Sequence, residues 1–273
     1  MSEYRFLEKE SYLEGRTLLE KDKLPFDVLV NILGSPIEKI ITNGKDVIIA
    51  CSVKMVPVWI WMQDNCSDEK KEEIYQLFKE AFVPLTDYRI NTKYEMAEYI
   101  LKRLNEDGFV RSKILTNVVT YTCEKPIKPS RKPKGYLQRL TSNDYELAVK
   151  MIKEASIAIG DTVLSDEAAS AAAKEQLDKQ VLYVWRNSEG TAVSFCDRNE
   201  NTNYVKISQC YTPEEYRGNG YAAEPIYELC GEIVESGCIA MLYADADYES
   251  SNRCYQKIGF VQDGKIATIG IYE

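Results

Sequence analysis

The sequence predicts an α/β (α+β) protein of two domains, and three observations carry that expectation. Its 273 residues exceed the roughly 100 to 200 usual for one domain. Strand-length apolar runs alternate with segments of helical periodicity along the whole chain. Between two such series lies Lys125 to Gly135, KPIKPSRKPKG, with three prolines, few apolar residues and strong positive charge. The expected organisation is a domain over 1–124, a Pro/Lys-rich linker over 125–135 and a domain over 136–273.

Composition narrows the chemistry. An aliphatic and aromatic share of 45% with 28% charged residues describes a globular chain with ample core material. No run approaches the roughly 18 apolar residues of a membrane span, and the opening residues carry no apolar leader, so a cytoplasmic location without membrane contact is expected. The eight cysteines are scattered singly, without C-x-x-C pairs, and read as reduced core residues. There is no histidine, which removes His-based metal sites and Ser-His or Cys-His nucleophiles; no metal is expected. Proton transfer must then use carboxylates, tyrosine, lysine or water. The net charge of −9 argues against a nucleic-acid partner, although the six Lys/Arg between 125 and 139 leave a solvated connector and a basic binding patch both readable.

In the first domain, Glu8 to Lys21 and Leu24 to Leu33 are set out as helices, and Asp46 to Val53 and Val56 to Met62 as strands. Val58 to Met62 is apolar at every position, which predicts a strand covered on both faces. Ser67 is a plausible N-cap, with Asp68 and Glu69 in the first turn of a helix through Phe82. Tyr94 to Asn105 reads as a helix and Leu115 to Cys123 as a strand.

The second domain opens with a strand over Tyr136 to Leu140. Thr141 to Asp144 then offers a cap for a helix carrying Leu147, Met151 and Ile152. After a loop at Gly160 to Thr162, Ser165 caps an alanine-rich helix. Val181 to Arg186 and Ala192 to Asp197 form a hairpin turned at Ser188-Glu189-Gly190.

The most informative stretch is Tyr204 to Ala222, YVKISQCYTPEEYRGNGYA. A strand breaks at Thr212-Pro213, a glycine turn follows, and Ala222, Ile226, Leu229, Cys230 and Ile233 recur at helical spacing. A helix start carries unpaired N–H groups and partial positive charge, and glycines admit a phosphate to them. The turn lacks the third glycine of G-x-G-x-x-G and the G-K-[ST] of a P-loop. Pro225 sits near the helix start and either fixes it or kinks the helix. The order strand, R-x-x-G-x-A, helix resembles the coenzyme A signature of the GNAT superfamily of N-acetyltransferases.

A second stretch agrees with that resemblance. After a strand at Ile239 to Tyr243 comes Asn252, then Tyr255 three residues on, then Gly259-Phe260, and finally a hairpin expected at Asp263-Gly264. This spacing is similar to the GNAT segment that borders the thioester. The resemblance implies two GNAT-like domains, each a mixed, mostly antiparallel sheet flanked by helices. In the first, the place of the cofactor turn reads QDNCSDEKK, without glycine, so that domain resembles a degenerate half lacking the CoA turn.

The resemblance further implies acetyl transfer from acetyl-CoA to an amine of a small-molecule or peptide acceptor by direct attack. Cys210, Tyr211 and Thr212 would meet the pantetheine and thioester, and Arg217, Gly218, Asn219, Gly220, Tyr221 and Ala222 the pyrophosphate. Asn252 would pair with the pantetheine amides and Tyr255 would protonate the leaving thiolate. The base stays open among Glu214, Glu215, Glu224, Asp245 and water. The 22 acidic against 11 basic residues after position 140 either attract a cationic acceptor or form a solvated surface. An acyl-CoA sensor that transfers nothing, and an O-acyl or longer-chain acyltransferase, stand beside this reading. Oligomeric state is not legible.

Overall fold

The structure is a computed structural model that describes residues 5–6, 18–34, 37, 39–52, 57–82, 89–108, 111–159, 163–201 and 204–271. The expected helix over 8–21 and the loop over 160–162 lie largely or wholly outside those residues. The chain divides into two compact units. The first comprises Met1–Thr120, Asp245–Asp247 and Asp263–Glu273, and the second Tyr121–Ala244 and Tyr248–Gln262.

The chain enters through β1 (Arg5–Phe6), α1 (Asp27–Ile32), β2 (Lys39–Thr42), β3 (Val47–Cys51), β4 (Val58–Met62), α2 (Asp68–Ala81), β5 (Arg89–Lys93), α3 (Tyr94–Glu106) and β6 (Lys113–Cys123). In the first unit β1 to β4 are antiparallel neighbours, and β4 pairs parallel with β5 across the α2 crossover. Every residue of β3 and β4 is buried. Alternation sends Val47, Ile49, Ile60 and Met62 toward Ile74 and Phe78 of α2 and Met96 and Ile100 of α3. It sends Ile48, Ala50, Trp59 and Trp61 toward Phe26 and Leu29 at α1. The two-sided cover expected from the all-apolar pattern is thus formed.

The chain continues with β7 (Gly135–Arg139), α4 (Tyr145–Ile159), α5 (Asp166–Asp178), β8 (Leu182–Asn187), β9 (Ala192–Glu200), β10 (Tyr204–Tyr211), α6 (Ala223–Glu235), β11 (Ile239–Asp245), α7 (Glu249–Ile258) and β12 (Val261–Gly270); the second unit holds all of these but the last residue of β11 and β12 from Asp263 on. Its strands run antiparallel from β7 to β10, and β10 pairs parallel with β11. Thr141 closes a capping box with Asp144 ahead of α4, and Ser165 accepts from Ala168 N at 3.2 Å ahead of α5. Both helices pack Met151, Ile152, Ala173 and Leu177 onto Val184 and Phe195.

The two halves repeat one plan. Three antiparallel strands, a crossover helix, a parallel strand, a helix and a last strand occur as β2 to β6 and again as β8 to β12. The last strand departs from the sequence expectation. Residues 261–270 run straight through Asp263-Gly264 as one strand, and Ile266 to Gly270 pair with Lys93 to Arg89 of β5. Gly264 serves contact and not a turn, because a Cβ there would stand 2.3 Å from Pro25 Cγ. Among the described residues no helix is long and apolar enough to cross a membrane.

Candidate active site

The end of β10 is built to open. Its registered pairs with β11 stop at Lys206↔Met241, although β10 continues to Tyr211 and β11 to Asp245. On the other side, Ser208 faces Asp197 and Tyr211 faces Phe195, so Gln209 and Cys210 together oppose Cys196. That is a β-bulge, and Gln209 takes φ +50° within it. A bulged strand bends, and backbone groups freed from a ladder can pair with an extended, amide-bearing ligand.

Beyond the bulge the chain is held firmly. Thr212 Oγ1 donates to Ser194 Oγ at 3.1 Å, and Arg217 Nε donates back to the Thr212 carbonyl at 3.0 Å. Asn219 Nδ2 braces the glycine turn through the Tyr216 and Arg217 carbonyls, each at 3.2 Å. Gly218 and Gly220 have φ +75° and +88°, the left-handed region that side chains resist. Gly218 faces open space, whereas a Cβ on Gly220 would meet Arg131 Cδ at 3.2 Å. Helix α6 then starts behind Ala222, whose side chain offers no cap, and Pro225 falls in the first turn, where its missing N–H costs nothing. The turn therefore presents backbone N–H groups to an anion, and the helix is not kinked there.

Helix α7 brings Tyr255 to the bulge. Its phenol is an electrostatic neighbour of the Cys210 thiol, and its ring lies 6.2 Å from both Tyr121 and Phe260. The side chain is 8% exposed. Burial, with Cys210 next, pushes the phenol well above its ordinary value, so it stays protonated at neutral pH. Asn252, one turn earlier, donates Nδ2 to the Tyr248 carbonyl at 2.9 Å. Of the predicted residues, Cys210 and Tyr255 are electrostatic neighbours, while Arg217 to Ala222 gather at the start of α6.

Residues 155–260 match the model of the acetyltransferase (GNAT) family. The chain carries a GNAT domain. Solved structures agree in fold along nearly the whole length. A GCN5-related N-acetyltransferase from Sphaerobacter thermophilus superposes with a TM-score of 0.67 at 12% identity, covering 99% of this chain and 96% of that one. A Drosophila protein gives 0.65 at 10%, covering 99% of each chain. A GNAT-family acetyltransferase from Colwellia psychrerythraea gives 0.60 at 10%, covering 98% and 99%. At these identities the likeness is one of fold. No curated protein matches the sequence. The family match supports acyl transfer as the general chemistry.

The GNAT domain also holds a carboxylate that sequence reasoning missed. Asp197 on β9 is 3% exposed and faces the bulge, where Ser208 Oγ donates to one carboxylate oxygen and Gln209 Nε2 to the other at 3.2 Å. Burial raises its pKa despite those donors. The available signal was positional. Alternation places Asp197 on the face of Phe195 and Val193, an inward position for an acid. Among the open candidates for a base, Glu214, Glu215 and Asp245 are exposed. Glu224 is buried, its Oε1 lacks a hydrogen-bond partner among the described residues, and burial raises its pKa.

The corresponding place in the first unit is the start of α2, which carries a side-chain cap and acidic residues. Ser67 Oγ caps α2 by accepting from Lys70 N at 3.3 Å, and Asp68 and Glu69 fill the first turn. A cavity of about 540 Å³ in that unit is lined by Asp22, Asp64, Lys93 and Asp263. Its Lys93 is already paired with Asp22 at 2.7 Å, and Trp61 Nε1 donates to the same carboxylate at 2.7 Å. It contains none of the motif residues.

Proposed function

We propose that the second unit transfers an acetyl group from acetyl-CoA, as donor substrate, to an amine of a small-molecule or peptide acceptor by direct attack. The observation that carries this reading is the bulged, splayed end of β10. It leads directly into an uncapped helix start and lies against a protonated, buried tyrosine. The donor supplies an acyl group activated as a thioester, and the chain binds, orients and moves protons. Backbone groups of Cys210 to Thr212 would hold the pantetheine arm and thioester beside the opened strand. The turn from Arg217 to Ala222 would hold the pyrophosphate. Asn252 would turn its amide from the Tyr248 carbonyl to the arm.

Tyr255, kept protonated by burial, would deliver its proton to the leaving thiolate. Asp197, with its raised pKa and its contacts at the bulge, is our choice for the base that takes the proton from the amine. The first unit, with its helix start capped by Ser67, is read as a degenerate GNAT half that binds no donor.

Release of free thiol from acetyl-CoA, followed across a panel of simple amines, polyamines and peptides, tests the reading. Release above the uncatalysed rate with one class supports it and names the acceptor. Donor binding without release from any amine would favour the acyl-CoA sensor. Release only with alcohols or longer acyl donors would favour the O-acyl or long-chain reading.

A further inference from the structure

The stretch 125–135 is exposed at its charged positions, yet it is held to the second unit at both motif glycines. At one end Ile127 N donates to the Ile258 carbonyl at 2.7 Å, and the Lys125 carbonyl lies 2.7 Å from where a Cβ on Gly259 would stand. At the other end Arg131 Nη1 donates to the Gly218 carbonyl. There the Arg131 stem and Pro133 Cδ lie 3.2 to 3.5 Å from the place of a Cβ on Gly220. With φ fixed at Pro126, Pro129 and Pro133, the stretch is a stiff strap across the start of α6.

Among the described residues no ion pair holds its charges. Lys125, Lys128, Arg131, Lys132 and Lys134 fall within ten residues of a chain whose net charge is −9. Arg131 has five N–H groups to offer, so donation to Gly218 leaves most of them for a ligand. Lys128 sits against Lys132 and depresses its pKa, near Glu224 and Tyr227 of α6. Glu224, the buried acid of that corner, has its pKa raised by burial and feels both Lys132 and Lys128, so one carboxylate faces the two lysines. Like charges brought together beside helix-start N–H groups favour an anion between them.

We propose that the strap is the cationic half of a phosphate site, in which Arg131, Lys128 and Lys132 grip the phosphates of a nucleotide thioester whose other side rests on the turn from Gly218 to Glu224. This rests on the acyl-CoA reading of the second unit.

Calorimetry of the whole chain with CoA, and with pantetheine, which has the same thiol arm without phosphates, tests it. Arg131→Gln and the pair Lys128→Gln with Lys132→Gln should each weaken CoA roughly 10-fold or more, flatten its salt dependence and leave pantetheine unchanged. Arg131→Lys should recover part of the loss. The lysine pair removes a like-charge contact, so its melting temperature should not fall and lost affinity cannot be assigned to unfolding. CoA affinity equal to wild type in these variants overturns the strap alone, and tighter binding would show that the strap blocks the turn. A wild-type chain that binds neither CoA nor pantetheine overturns the donor reading and the strap together.

Discussion

Tyr255 on α7 is an electrostatic neighbour of Cys210, so the candidate acid is set beside the bulge of β10 before any substrate arrives. Phenylalanine at 255 keeps the ring against Tyr121 and Phe260 and removes only the proton. We expect Tyr255→Phe to lower kcat roughly 10²-fold or more, with little change in acetyl-CoA affinity. Full kcat with weakened affinity would mean that the ring only packs.

Asp197 gives a prediction in pH. Its folded pKa is raised above the ordinary 3.8, so the folded chain holds a proton that the unfolded chain has lost over the window from 3.8 up to the folded value. That contribution to stability is complete below 3.8 and is lost as pH rises through the folded pKa. Asp197→Asn abolishes it, so the melting temperature of wild type relative to the variant should fall from pH 3.5 to pH 8. As the base, Asp197 must be ionised, so kcat/KM should rise with pH through the same raised value and lose that limb in the variant. A limb unchanged in Asp197→Asn assigns the base elsewhere.

Gly220→Asp places a side chain at φ +88°, against Arg131, and a negative charge at the turn. CoA binding by calorimetry should disappear while far-ultraviolet circular dichroism stays that of wild type. Unchanged affinity would sink the assignment of the turn.

In the first unit, Ser67→Ala should cost about 1 kcal/mol of stability as a lost cap. Titration of the wild-type chain should reach one CoA per chain, and two sites would refute a degenerate first half.

Gly264→Ala drives a methyl into Pro25, 2.3 Å from its Cγ, and should destabilise by about 1 to 3 kcal/mol in denaturant unfolding. A change under about 0.5 kcal/mol would show that β12 can shift away from Pro25 at little cost.

The Gly264 misreading shows where sequence stops informing. Local periodicity and caps were legible: Ser67, Thr141 and Ser165 start helices as their residue types dictate, and the apolar run Val58 to Met62 lies in a two-sided core. Asp263-Gly264 carries the composition of a turn, but that glycine answers a proline more than two hundred positions away, which no local pattern records. The motif stretches were legible because a backbone cradle leaves its glycines and its strand break in order along the chain. Asp197 was not, because one acid on a strand face is meaningful only once a bulge is known to lie opposite. The strap was legible as charge and proline, while its contacts with Gly220 and Gly259 are tertiary.

The late position of β12 in the chain bears on how the protein is made. The open side of β5 in the first unit is closed by residues 266–270, which leave the ribosome long after Arg89 to Lys93. During that interval a nearly finished sheet presents unpaired N–H and C=O groups to every neighbouring chain, the condition under which strands join the wrong partner. Synthesis order thus sets a vulnerable period for the amino-terminal half, and a chain cut short before residue 266 keeps that edge permanently exposed.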